Sequence, residues 1–135
     1  YTFFKRTSPH PNLITFDCPD SNVTCVKRNI SNTPIAALAT LNNSVFTDAA
    51  KAMAKRLIKE RNSDTERIAM GFQLCATRKP STKEVTAFLA LLKKAKAFYQ
   101  GNETEAKAFN GDPEASAWAT LTRIFLNLDE FITRE

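Results

Sequence analysis

Residues 16–43, FDCPDSNVTCVKRNISNTPIAALATLNN, contain the point at which the chain changes character. Up to Ser31 the stretch is crowded with turn residues and charge. From Asn32-Thr33-Pro34 it becomes an apolar run of helical periodicity that continues almost unbroken to the C-terminus. A side-chain oxygen on Asn32 or Thr33 can cap a helix there, and Pro34 sits in the first turn, where its missing N–H costs nothing. The reading that follows is an all-α fold: an irregular arm and turn-rich loop over 1–33, then a helical bundle over 34–135, together forming one domain.

Upstream, YTFFKRTSPHPNLIT carries Pro9 and Pro11, which forbid a helix and favour extended backbone before each. The arm also carries Phe3, Phe4, Leu13, Ile14 and Phe16, too many large apolar groups for a solvated tail, so it is expected to lie on a surface. Downstream, a short first helix runs over about 34–41, with Ile35, Leu38 and Leu41 as its stripe. Ser44 opens a longer helix with Phe46, Ala49 or Ala50, Met53 and Leu57 inward and Lys51, Lys55 and Lys59 on another face. Ser63-x-x-Glu66 and Ser81-x-x-Glu84 are two capping boxes. The first leads Ile68, Phe72 and Cys75; the second leads Val85, Phe88, Leu92 and Tyr99 towards Gly101. Residues 102–111 read as a loop or a frayed turn between helices. Asp112-Pro113-Glu114 restarts a helix through Trp118, Leu121, Phe125, Leu128 and Ile132, apolar over more than half its circumference and therefore expected to be the innermost. The sum is four main helices plus one short one.

With 135 residues, the chain is of the length that buries one real core. A composition 43% hydrophobic and 24% charged is that of a globular domain, and no apolar run approaches the ~20 residues that span a bilayer. Opening on Tyr1 without a charged and then apolar leader, the chain reads as a piece of a larger protein. The net charge of +5 biases only weakly towards anionic partners. The lysine-rich helix face has no interleaved aromatics of the kind nucleic-acid surfaces use, so nucleic acid is not an expected partner.

Chemistry-bearing residues are sparse. His10, Asp17, Cys18, Asp20 and Cys25 are metal-ligand types within one stretch, but their spacing fits no closed zinc or iron site and reads first as turn chemistry. Lys5, Arg6, Lys27 and Arg28 surround the same loop; they suit either an anion subsite or pairing with Asp17 and Asp20. Cys18 and Cys25 could close an eight-residue loop in an oxidising compartment, while an odd number of thiols weighs against a disulfide framework. No catalytic motif is present, and the single histidine lies between two prolines.

The combination TFD-x-PD-x-NVTC-x-x-R-N-x-SNTP-x-x-AL-x-x-LN, with KRTSPHP before it and RIAMGFQLCATRKPSTKE and WATLTRIFLNLDEFITRE after it, resembles a known family. It is similar to the C-terminal domain of planctomycete-type cytochrome c-associated proteins, a domain of unknown function numbered 1553. The family usually has PLQAL where this chain has residues 34–38 and LND where it has residues 41–43, which weakens any site built on that Gln and Asp. It also lacks a general cysteine at the position of Cys18. The resemblance implies an extracytoplasmic bacterial parent with a haem-binding cytochrome c segment elsewhere, no cofactor in this chain, and other domains of the same parent as partners. It implies no activity. The candidate interaction or structural motif is Asp17, Asp20, Cys25, Arg28, Asn32, Thr33, Pro34 and Asn42. Two functions are open at this point: an interaction or scaffolding domain, or a contributor to an enzyme site, for instance in polysaccharide breakdown, completed by other domains.

Overall fold

The structure, a computed structural model, describes residues 5, 7–20, 22–27 and 31–133. Among these every regular element is helical: α1 (Pro11–Thr15), α2 (Pro34–Asn42), α3 (Ser44–Glu60), α4 (Asp64–Ala76), α5 (Thr82–Gly101), α6 (Glu103–Asn110), α7 (Pro113–Phe125) and α8 (Asp129–Ile132). The four expected main helices are α3, α4, α5 and α7. Both capping boxes form, Ser63 with Glu66 and Ser81 with Glu84. Asp112 caps α7 by accepting from the Ala115 amide at 2.8 Å, with Pro113 in the first turn.

Helix α7 is the axis of the fold, as its wide apolar circumference foretells. Eight of its thirteen residues are buried, and α3, α4, α5 and α6 all pack against it. Trp118 is fully enclosed, and Phe125 sits between Phe72 of α4 and Phe88 of α5 at centroid distances of 5.3 and 4.6 Å. Gly71 is where α4 comes closest to that ring: a Cβ there would lie 2.6 Å from Phe125 Cζ, so the close approach itself demands glycine. On the α3 side, Ala50 and Ala54 are small enough to let the two helices meet, and the buried Thr122 hydroxyl bonds across to the Ala50 carbonyl at 2.8 Å.

Four expectations need correction. The arm contains a helix, because Pro11 stands at the first helical position, where it is tolerated, and His10 caps it by accepting from the Asn12 amide at 3.2 Å. Residues 103–110 are helix rather than loop, because Ala106 is fully buried against α7, the Ser116 hydroxyl bonds its carbonyl at 2.9 Å, and Phe109 stacks on Tyr99. The last helix breaks after Phe125. Leu128 is extended (φ −65°, ψ 141°) and precedes α8, so Leu128 and Ile132 do not continue the α7 stripe.

The fourth correction concerns α2. Two of the three residues of its expected stripe point away from the domain, with Ile35 67% and Leu38 59% exposed, whereas the small Ala36 and Thr40 are buried and Leu41 is half-buried. Polar ties fix this orientation. Thr40 donates to Asn127 Oδ1 at 2.6 Å, and Arg123 of α7 donates to the Leu41 carbonyl at the C-terminal end of α2. An arginine there satisfies a helix-end carbonyl and complements the helix dipole.

Candidate functional site

Of the described motif residues, Asp17, Asp20, Cys25 and Asn32 lie in the loop between α1 and α2, Thr33 caps α2, and Pro34 and Asn42 belong to that helix. Asp17 adopts a left-handed backbone (φ 53°), which turns the chain after α1 and lets its carboxylate accept from the Ser31 amide at 3.0 Å and hydroxyl at 2.6 Å. Asp20 accepts from the amide and the side chain of Asn22, at 2.9 and 2.6 Å, a turn closed by the side chain. Asn32 reaches across the molecule to Asp129 of α8 at 2.7 Å. Thr33 rather than Asn32 is the cap of α2, accepting from the Ala36 amide at 3.1 Å, and Pro34 follows in the first turn. Asn42 donates to the Leu38 carbonyl within α2. Cys25 is exposed and donates to the Lys27 carbonyl at 3.3 Å. Arg28, like Phe3, Phe4 and Arg6, lies outside the described residues.

The folded loop encloses an open cleft of 590 Å³ whose walls combine apolar groups (Leu13, Ile14, Pro19, Val23, Val26) with Asp17, Asp20, Cys18 and Cys25. Chemically it is an apolar recess with a few polar groups, each carboxylate already committed to a chain-folding hydrogen bond. All three cysteines are free thiols. Among the described residues no three His, Cys, Asp or Glu side chains gather closely enough to hold a metal ion. Beside the cleft, Phe16 meets Phe46 at 5.7 Å, and a smaller apolar groove of 350 Å³ runs between α1 and the start of α3, lined by Leu13, Phe16, Val45 and Phe46.

Two charge clusters escaped the sequence reading. Arg67 of α4 is nearly buried; it donates to the Arg61 carbonyl at 2.9 Å and to Glu114 at 2.7 Å, and its guanidinium lies 5.6 Å from the Trp118 ring. Only the Asp64–Arg67 spacing, i and i+3, signals any of this in the sequence. Arg78, two residues past the end of α4, grips both oxygens of Glu84 (3.0 and 2.6 Å) and both of Glu130 (2.7 Å each), joining the starts of α5 and α8 while lying over Phe72. The bidentate arginine fork makes these strong polar contacts.

That clamp has a pH signature. Arg78, with Ser81 second, holds the Glu84 carboxyl down at about 2 from its ordinary 4.5, and Arg78 likewise lowers Glu130. A carboxyl lowered on folding contributes stability that is whole above the unfolded value and is lost as pH falls through the folded one. The melting temperature should therefore drop between pH 4.5 and about 2. Glu84→Gln keeps the capping-box geometry and removes the charge, so its deficit against the parent should be largest at neutral pH and close towards pH 2. A deficit that stays constant across the titration would show the clamp to be electrostatically idle.

Fold and loop together define an all-helical domain whose polar loop residues serve as folding ties around an apolar recess. The chain belongs to the family of proteins of unknown function DUF1553 (PSD1), whose profile matches residues 1–92. No curated protein and no solved structure matches it. Among the described residues no helix is long and apolar enough to cross a membrane.

Proposed function

We propose that this is a docking domain, whose N-terminal third is the face it presents to other domains of a longer parent polypeptide. That parent we take to be an extracytoplasmic protein of the planctomycete type with its haem-binding cytochrome c segment elsewhere in the chain. The reading rests on where exposed apolar side chains fall. Ile14 and Phe16 at α1, Val23 and Val26 in the loop, Ile35 and Leu38 on α2 and Val45 at the start of α3 all stand exposed, against Leu74, Leu91 and Phe98 in the rest of the described chain. A helix that turns its large residues outward and its small ones inward forgoes about 1.5 to 3 kcal/mol for each side chain left in water, a cost that a covering partner removes.

The chemistry of this face favours a protein partner. Residues 31–47 contain no charged side chain at all. Interface cores are depleted of charge in the same way, whereas a nucleic-acid surface needs cations for the phosphates. Ties from Arg123, Asn127 and Asp129 hold the face in a fixed orientation, so docking requires little reordering.

The double variant Ile35→Lys/Leu38→Lys tests the reading. Because both side chains already face water, the isolated domain should keep its stability to within about 0.5 kcal/mol. Association with the remainder of the parent, supplied as a separate polypeptide and followed by calorimetry, should be lost. Amide exchange over residues 9–45 should also slow when the domain is part of the full-length parent. Unchanged binding by the double variant, or equally fast exchange in both contexts, would refute the docking face.

A further inference from the structure

Two of the three thiols share one recess. Cys18 is half-buried and Cys25 exposed, and both line the 590 Å³ cleft of the folded-back loop. Cys18 is anchored through its amide to the Leu13 carbonyl at 2.8 Å, which sets the end of the loop against α1. Between the cysteines, the Asp20 carboxylate accepts from the Asn22 amide and side chain, and Cys25 lines the same cleft as Cys18. Beyond its bond to the Lys27 carbonyl, nothing among the described residues holds the Cys25 thiol. Cys75 is of another kind: it sits on α4 beside Met53 Sδ at 3.9 Å, and burial pushes its thiol up to about 11.

We propose that Cys18 and Cys25 form a reversible dithiol site, closed into a disulfide by exchange with an oxidised disulfide of the glutathione class. The exposed Cys25 thiolate attacks one sulfur of the oxidant, releasing one thiol and leaving a mixed disulfide. The Cys18 thiolate then attacks Cys25 Sγ and expels the second thiol. Cys18 and Cys25 together give up two electrons and two protons, and the oxidant becomes two thiols. The product is a closed ring from 18 to 25 that draws the two walls of the cleft together beside the apolar face of α1 and α2. The loop then becomes a redox-sensitive border to that face.

The whole chain, equilibrated across ratios of glutathione to glutathione disulfide, quenched by alkylation after denaturation and weighed intact, tests this. Under reducing conditions it should carry three alkyl groups, one for each free thiol. As the buffer becomes oxidising, a monomer should appear that has lost the two thiol hydrogens and carries a single alkyl group on Cys75, with peptide mapping joining Cys18 to Cys25. In Cys18→Ser the ring cannot close, and Cys25 should instead retain glutathione. Independent mixed disulfides on Cys18 and Cys25 with no internal bond, disulfide-linked dimers only, or three alkyl groups at every ratio would each overturn the assignment.

Discussion

Trp118→Ala should lower the stability of the domain by about 3 to 5 kcal/mol, the cost of removing an enclosed aromatic and leaving its space unfilled. Trp118 is fully buried on the helix that four others pack against, so no single neighbour can relax into the cavity. Set against the roughly 5 to 15 kcal/mol by which domains are folded at all, this is a large share of the margin. The melting temperature should fall by roughly 10 to 20 °C. Trp118→Phe should recover more than half of the loss, because the indole Nε1 has no hydrogen-bond partner among the described residues and the ring contributes mainly by packing. A melting temperature for Trp118→Ala within a degree or two of the parent would remove α7 from the centre of the core.

The second large effect is expected at Arg67→Ala, with a loss of about 2 to 3 kcal/mol. The side chain is only 10% exposed, and its guanidinium lies over the Trp118 ring at 5.6 Å while its donors satisfy the Arg61 carbonyl at the end of α3 and Glu114 in the first turn of α7. Charge alone accounts for little of this, because Glu114 is half exposed and regains water when the arginine is removed. Fork geometry and stacking account for most of it, so Arg67→Lys should fall between the two rather than restore the parent. Chemical denaturation of the three proteins decides the matter. Should Arg67→Ala unfold within about 0.5 kcal/mol of the parent, the contact with Trp118 would be incidental.

The two arginines show why charge clusters are hard to read from sequence. Arg78 and Glu130 are 52 positions apart, and Arg67 and Glu114 are 47 apart, so nothing local couples them. Each pair forms only because α4 is laid beside α7 and α8. The motif loop is similar: the Asp20–Asn22 turn and the Thr33 cap are local and legible, but the bond from Asn32 to Asp129 spans 97 positions. Its role as a tie between the arm and the far end of the domain depends on the assembled bundle.

By itself the sequence determined the all-helical class, the four main helices, their caps and the central place of α7. Each of these follows from interactions within a few residues: a serine and a glutamate three apart, a proline in a first turn, apolar side chains recurring at helical spacing around an unusually wide face. Tertiary structure alone decided the helix at 103–110, the break after Phe125 and the outward turn of α2. Ala106 and Phe109 fold as helix because α5 and α7 cover them. The local pattern of α2 favours an inward stripe of Ile35 and Leu38 over the outward one found. What selects the outward one is the close fit of Ala36 and Thr40, together with the Arg123 and Asn127 hydrogen bonds from residues more than eighty positions away.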